Sequence, residues 1–184
     1  MFKYGGYVGK ILRINLSDSK MKEQRLQEKT VEKYLGGRGI GARILYDEVE
    51  PNADPLSIHN KLILATGPLA GTQAPCVTKY SVVTKSPLTG IGLQSLAAGS
   101  FASELKFAGY DVMIVEGQAE KPVYIWIHDG GADIRDASWL WGMPTSVTQR
   151  LLKEETCESA KVACIGLAGE NCVKFASIIS EWRA

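Results

Sequence analysis

Apolar and polar positions alternate unevenly along the chain, and each change of period predicts an element. Val8, Ile11, Ile14 and Leu16 lie in a β-rich run, the polar tetrad Ser17-Asp18-Ser19-Lys20 follows, and residues 21–26 return. That pattern predicts a β-hairpin over residues 7–26. Residues 30–35 read as a short helix with Thr30 as N-cap and Gly36-Gly37 as its stop. Ile40, Ile44, Leu45 and Val49 share one helical stripe, which predicts a second helix over 40–49. Residues 51–60 carry Pro51 and Pro55 and read as a loop.

Lys61-Leu62-Ile63-Leu64-Ala65-Thr66 is a short apolar run closed by Gly67-Pro68, the pattern of a buried strand. Residues 80–84 predict another. A short helix is expected over 101–107, with Phe101 and Leu105 one turn apart, then strands over 112–116 and 123–128. A third strand, 132–135, should pair back across Asp129-Gly130-Gly131. Pro144 precedes a predicted helix over 145–155 that turns Val147, Leu151 and Leu152 inward, and 162–165 and 173–179 read as the last strands. Residues 85–99 differ from the rest: they are rich in Ser, Gly, Leu and Ala and carry no charge after Lys85. They read as a loop that lies against other protein or a ligand.

The halves of the chain echo one another. Lys61 to Thr66 runs into Gly67-Pro68-Leu69-Ala70-Gly71, and Lys161-Val162-Ala163-Cys164-Ile165 runs into Gly166-Leu167-Ala168-Gly169. A second apolar strand is expected after each turn, starting at Lys79-Tyr80 and at Lys174-Phe175, and a hairpin and helix lie upstream of each. Two copies about a hundred residues apart suggest an internal pseudo-twofold rather than a solenoid, which needs about three repeats.

Composition narrows the function classes. The 184 residues are 45% hydrophobic with a net charge of +1, which excludes a disordered chain. Twenty-one Lys and Arg against 20 Asp and Glu leave no electrostatic footprint for nucleic acid. No apolar run reaches the roughly 18 residues of a membrane span, and residues 1–6 do not open a signal peptide. A soluble cytoplasmic chain is expected. Cys76, Cys157, Cys164 and Cys172 lack zinc or iron–sulfur spacing and read as buried, reduced thiols.

Chemistry-bearing motifs are few. Gly37-Arg38-Gly39-Ile40-Gly41-Ala42 matches a loose dinucleotide-binding pattern. A helix rather than a strand precedes it, so a close-packed helix–helix corner is the better reading, with Arg38 on a neighbouring carbonyl or carboxylate. Asp111, Glu116 and Glu104 have no partner at a fixed spacing and read as surface or structural groups. Trp126, Trp139, Trp141 and Trp182 read as core or interface. The residues alone describe a soluble α+β domain with two Gly-rich, weakly charged loops.

Several segments taken together resemble the N-terminal domain of the aldehyde ferredoxin oxidoreductase family. They include Gly9-Lys10-Ile11-Leu12-Arg13-Ile14-Asn15-Leu16, Leu35-Gly36-Gly37-Arg38-Gly39, Ala65-Thr66-Gly67-Pro68-Leu69-Ala70-Gly71 and Thr84-Lys85-Ser86-Pro87-Leu88-Thr89-Gly90. Glu104-Leu105-Lys106-Phe107-Ala108-Gly109-Tyr110-Asp111, Lys121-Pro122-Val123-Tyr124, Trp141-Gly142 and Gly169-Glu170-Asn171 continue the match in order, nearly end to end. The resemblance implies that residues 1–184 form one α+β domain of two related hairpin–helix–strand units, a sheet-rich base for a tungsten bis-pterin cofactor. It also implies a bridging magnesium ion and a 4Fe-4S cluster in the full-length enzyme.

The family oxidises aldehydes to carboxylic acids and passes the electrons to ferredoxin. By resemblance, the pterin-contacting positions are Lys79, Leu96, Ala98, Arg183 and Ala184. Lys79 stands where the family has Arg: it keeps the charge and loses the planar fork. Leu96 and Ala98 would act through backbone groups. Implied partners are ferredoxin, an aldehyde and the domains that follow, with a homo-oligomer as one compatible assembly. The chain stops where the family continues with a Gly-rich phosphate-binding loop, so it reads as a fragment without metal, cluster or activity of its own. Two further readings stand beside this one: the tungsten subunit of an aromatic acyl-CoA reductase, and a non-catalytic binding or assembly module that kept the fold.

Overall fold

A computed structural model describes residues 2–128 and 131–181. Met1, Asp129, Gly130, Trp182, Arg183 and Ala184 lie outside the described residues. The elements are β1 (Lys10–Asn15), β2 (Lys20–Arg25), α1 (Glu28–Tyr34), α2 (Gly37–Glu48), β3 (Lys61–Thr66), β4 (Lys79–Lys85), β5 (Gly92–Ala98) and α3 (Phe101–Phe107). Then come β6 (Val112–Glu116), β7 (Val123–His128), β8 (Gly131–Asp136), α4 (Thr145–Glu155), β9 (Ala163–Cys164), α5 (Leu167–Glu170) and β10 (Ile179–Ser180).

A six-stranded sheet in the order β2-β1-β6-β3-β4-β5 is the frame. β1 and β6 pair in parallel, and the other neighbours are antiparallel. Side chains alternate strictly between its faces, as the two-residue period of a strand requires. Ile11, Ile63, Ala65, Val83, Val112 and Ile114 pack under α1 and α2 with Val31 and Ile40. Leu12, Ile14, Leu64, Tyr80, Val82, Ala97 and Met113 pack on the other face against Ala102 and Leu105 of α3 and the β7–β8 hairpin. β3 and β6 read as continuous apolar runs because both of their faces are covered.

Buried charges pin the sheet to its loops. Asp111, 2% exposed, accepts the Val8 and Gly9 amides at 3.2 and 2.6 Å and pairs with Lys106 at 2.5 Å. Lys106 in turn donates to the Gly6 carbonyl at 2.6 Å. A buried pair of this kind needs further hydrogen bonds to offset its desolvation, which the Val8 and Gly9 amides and the Gly6 carbonyl supply. The Lys85 ammonium likewise closes the 51–60 loop on the carbonyls of Pro51 and Ala53, at 2.6 and 2.7 Å.

The second half echoes the first in part: hairpin β7–β8, helix α4, then the strands β9 and β10, but with one helix where the first half has α1 and α2, and with α5 between the two strands. Cys164 pairs with Ile179 as Ala65 pairs with Ser81, and Cys164 and Ala65 both stand two residues before the matching glycine. β6 joins β1 to β3 in the first half. Among the described residues β7–β8 and β9–β10 stay separate two-stranded ladders.

Several expectations are corrected. The uncharged stretch is not a loop: residues 92–98 form β5, because β4 offers a full partner edge from Lys79 to Lys85. Residues 173–178 are not strand. Phe175 is 77% exposed, so the second strand starts at Ile179 and Lys174-Phe175 is not the counterpart of Lys79-Tyr80. Thr30 lies inside α1, which begins at Glu28. Cys76, Cys157 and Cys172 are exposed, and only Cys164 is half-buried; burial pushes its thiol up to about 11.

Candidate functional site

The glycine motif of α2 is a packing device. A Cβ at Gly39 would overlap the Tyr34 carbonyl, and one at Gly41 would come within 2.7 Å of Val83 Cγ2. The glycines let α2 lie directly on α1 and β4. Arg38 is exposed and makes no ion pair among the described residues, contrary to its expected docking on a neighbour. A groove of about 360 Å³ between α1, α2 and β2 is rimmed by Arg25, Lys29, Lys33 and Arg43, on the opposite side of the sheet from β5.

The other candidate residues meet at the β4–β5 corner. Lys79 stands directly across the ladder from Ala98, Tyr80 from Ala97, and Ser81 from Leu96. Tyr80 and Ala97 are buried, with the Tyr80 ring 5.1 Å from that of Phe101. Burial pushes the Tyr80 hydroxyl above its ordinary pKa, and the nearby Glu181 charge adds to the shift. The pleat therefore turns Lys79, Leu96 and Ala98 to the other face, where Lys79 and Leu96 are exposed. β5 is the last strand of the sheet, so its outer backbone groups meet no strand among the described residues. The corner thus offers an ammonium, a backbone edge that meets no strand among the described residues, and exposed leucines on both faces of β5, Leu96 on the Lys79 face and Leu93 on the other, with no carboxylate on β5.

Arg183 and Ala184 lie outside the described residues, but the chain leading to them ends at this corner. The Ser100 amide donates to the Glu181 carboxylate just beyond β5, and Lys161 lies 3.8 Å from the other oxygen. Gly99 has φ +127°, and a Cβ there would overlap that carboxylate. The spacing of residues does not disclose this contact, since Ser100 and Glu181 are brought together only by β10 folding back beside β4. No three His, Cys, Asp or Glu side chains among the described residues are placed to hold a metal ion. None of the described helices is long and apolar enough to cross a membrane.

Residues 11–184 match the family described as "Aldehyde ferredoxin oxidoreductase, N-terminal domain". The chain belongs to this family. It is 52% identical over 177 residues to the tungsten-containing aldehyde ferredoxin oxidoreductase of Pyrococcus horikoshii, covering 96% of this chain and 29% of the relative. The enzyme of that name from Pyrococcus furiosus is 50% identical over 179 residues, covering 97% of this chain and 29% of the relative. Identity falls to 38% with the aliphatic sulfonate oxidoreductase WOR-like subunit of Pyrococcus furiosus, over 95% of this chain and 30% of the relative. Among solved structures, the active-site complex BamBC of benzoyl coenzyme A reductase with 1,5-dienoyl-CoA matches at TM-score 0.93 and 39% identity. That match covers 96% of this chain and 27% of that one. The chain thus spans under a third of the length of these proteins, and it shares its mixed α/β fold with the matched part of the solved structure.

Proposed function

We propose that this chain is the cofactor-holding base of a tungsten-pterin oxidoreductase that converts aldehydes to carboxylic acids in the cytoplasm and reduces ferredoxin. The observation that carries the reading is the 52% identity to a tungsten-containing aldehyde ferredoxin oxidoreductase over 96% of the chain. The β4–β5 corner fits the group chemically. An exposed ammonium suits the pterin phosphates, because charge-assisted hydrogen bonds to phosphate are the strong ones. Backbone carbonyls at Leu96 and Ala98, on the last strand of the sheet, would suit a hard cation such as magnesium, which takes oxygen ligands.

When bound, the tungsten-pterin group supplies the two-electron oxidation of aldehyde and water to carboxylic acid and passes the electrons through a 4Fe-4S cluster. This chain's residues do the holding. Lys79 and Arg183 would neutralise phosphate, Leu96, Ala98 and Ala184 would offer backbone contacts, and the Leu96 side chain, on the same face as Lys79, would exclude water once covered by the domains that follow. The aromatic acyl-CoA reductase is the second reading, favoured by the fold match to the benzoyl coenzyme A reductase complex.

The test uses the full-length protein expressed with tungstate. Lys79→Ala should lower bound tungsten by about tenfold or more, the scale of a lost hydrogen bond to a charged group. Lys153→Ala, at a half-buried position on α4, should leave it unchanged. Equal tungsten in both variants overturns the assignment of the corner. A wild-type protein without tungsten favours the non-catalytic module. Reduction of ferredoxin with aldehyde, and none with an aromatic acyl-CoA in the reverse direction, separates the two catalytic readings.

A further inference from the structure

We propose that Arg38 and Lys79 form a two-cation clamp for one phosphate group at the end of β5. That the phosphate is the pterin's rests on the cofactor-base reading; the clamp itself rests on how α2, β4 and β5 are placed.

The position of Arg38 follows from the helix it opens. A Cβ at Gly37 would lie 3.3 Å from Ser81 Oγ, and Ser81 pairs with Leu96, so the first turn of α2 covers the Leu96 end of the β4–β5 ladder. Farther along, a Cβ at Gly92 would lie 3.6 Å from Leu45 Cδ2, so Leu45 is on the side of α2 that faces β5. Arg38 and Leu45 are seven residues apart, close to two full turns, and therefore share that side. Their separation of about 10.5 Å along the helix axis matches the course of β5, on which Leu96 lies roughly 13 Å beyond Gly92. Helical side chains lean toward the helix N-terminus, which carries Arg38 past Ser81 toward Lys79, the next residue on that face of β4.

The charges in this niche are not balanced by the protein. Arg38 and Lys79 are both exposed, and neither makes an ion pair among the described residues. β4 and β5 carry no carboxylate. The acids of α2, Asp47 and Glu48, stand at its far end and are paired with Arg43, Arg13 and Lys61. An arginine in the first turn opposes the helix macrodipole, and α2 has no acid there to offset it. The Gln94 side-chain nitrogen, two residues from Leu96 on the same face, is shielded from water and has no hydrogen-bond partner. A buried donor left unsatisfied costs stability. A phosphate would neutralise both cations and offer Gln94 an acceptor. The guanidinium fork takes two of its oxygens at once, and the ammonium adds a point charge.

The experiment uses full-length protein. Inorganic phosphate is titrated into apo-protein prepared without tungstate. Arg38→Gln and Lys79→Ala should each weaken its binding about tenfold, the scale of a lost hydrogen bond to a charged group. Arg38→Lys, which keeps the charge without the fork, should weaken it several-fold, and Lys22→Ala on β2 should leave it unchanged. The melting temperature of apo Arg38→Gln should equal or exceed that of wild type, because the cation opposes the helix dipole. In protein expressed with tungstate, Arg38→Gln should lower bound tungsten about as much as Lys79→Ala. No saturable phosphate binding to wild type, or wild-type affinity in Arg38→Gln, overturns the clamp. So does a marked fall in the melting temperature of Arg38→Gln, which would make the residue a structural anchor. If phosphate binding falls in both variants while both retain full tungsten, the clamp stands and the cofactor-base reading fails. If Lys79→Ala loses tungsten and Arg38→Gln does not, the cofactor-base reading stands and the clamp fails.

Discussion

The two edges of the six-stranded sheet are built on opposite principles. β2 carries Lys20, Lys22, Glu23 and Arg25, nearly all exposed, and ties itself to β1 by a Lys10–Glu23 pair at 2.8 Å. β5 reads Gly-Leu-Gln-Ser-Leu-Ala-Ala, with no charge and two exposed leucines. Charged side chains blunt an edge against pairing with other chains, and a flat uncharged edge invites it. The difference indicates that β2 faces water and β5 is made to be covered. The interior behind each edge follows suit. Toward β2, Arg13, Glu48, Lys61 and Glu116 close a ring of ion pairs across β1, α2, β3 and β6, with Arg13 2.8 Å from Glu48 and 3.0 Å from Glu116. Toward β5, Lys79 makes no ion pair among the described residues. One side pairs its charges with one another, and on the other Lys79 stands exposed without an ion pair among the described residues.

Charging β5 should erase the contrast most strongly. The 184-residue chain by itself should self-associate through this edge. Leu93→Lys combined with Leu96→Lys should raise the concentration at which half the chains associate on the order of a hundredfold, ~2.7 kcal/mol. Sedimentation velocity checks this, and a wild-type chain that stays monomeric throughout would break the comparison.

Opening the ion-pair ring should cost less. Glu48→Gln removes the bidentate partner of Arg13, but Glu116 still holds Arg13 and Lys61. We expect a loss of about 1–2 kcal/mol in urea unfolding, at the lower end for hydrogen bonds to charged groups because the ring is partly solvated. Tungsten content of the full-length protein should not change. A cofactor loss equal to that of Lys79→Ala would show that the two sides are not separate.

Acid should weaken the β2 side selectively. Burial pushes the Glu48 carboxyl up, but hydrogen bonds and charges from Arg13 and Lys61 outweigh it and hold the group below its ordinary value of 4.5. The folded state therefore favours the charged form. This contribution is complete above 4.5 and disappears as pH falls below 4.5 through the lower folded value. Thermal melts from neutral pH to pH 3 should show a steeper acid decline in wild type than in Glu48→Gln; parallel curves would remove the ring from the account.

The smallest effect belongs to single charges on the guarded edge. Lys22→Ala should change stability by no more than about 0.5 kcal/mol, as for surface residues generally. A larger loss would mean that β2 is not a plain solvent edge.

Much of this could be seen in the chain before folding. Lys61–Thr66 and Val112–Glu116 announced buried strands, since strands covered on both faces need apolar residues at every position. The hairpins and the α2 and α4 helices were legible for the same local reason, because period and turn chemistry act over a few residues. β5 was not legible: its sequence is equally good as a loop, and only the long open edge of β4 makes it a strand. The absence of charge in residues 85–99 did not show what the stretch would meet: it pairs with β4 along one edge and leaves Leu88, Ile91, Leu93 and Leu96 exposed.

The candidate site divides in the same way. The resemblance to the family pointed to Lys79, Leu96 and Ala98 one by one, from local motifs. Their pairing across one ladder, Lys79 facing Ala98 and Ser81 facing Leu96, is a matter of register. Register depends on the whole sheet, because a one-residue slip would move every side chain to the opposite face. The sequence by itself determined most of the elements, the family and which stretch would be left without charge. Only the tertiary structure decided that the uncharged stretch is an edge strand and that Asp111 is a buried pin rather than a surface acid. It also decided that Glu181 closes on Ser100. Those outcomes depend on contacts between residues far apart in the chain, which local pattern does not encode.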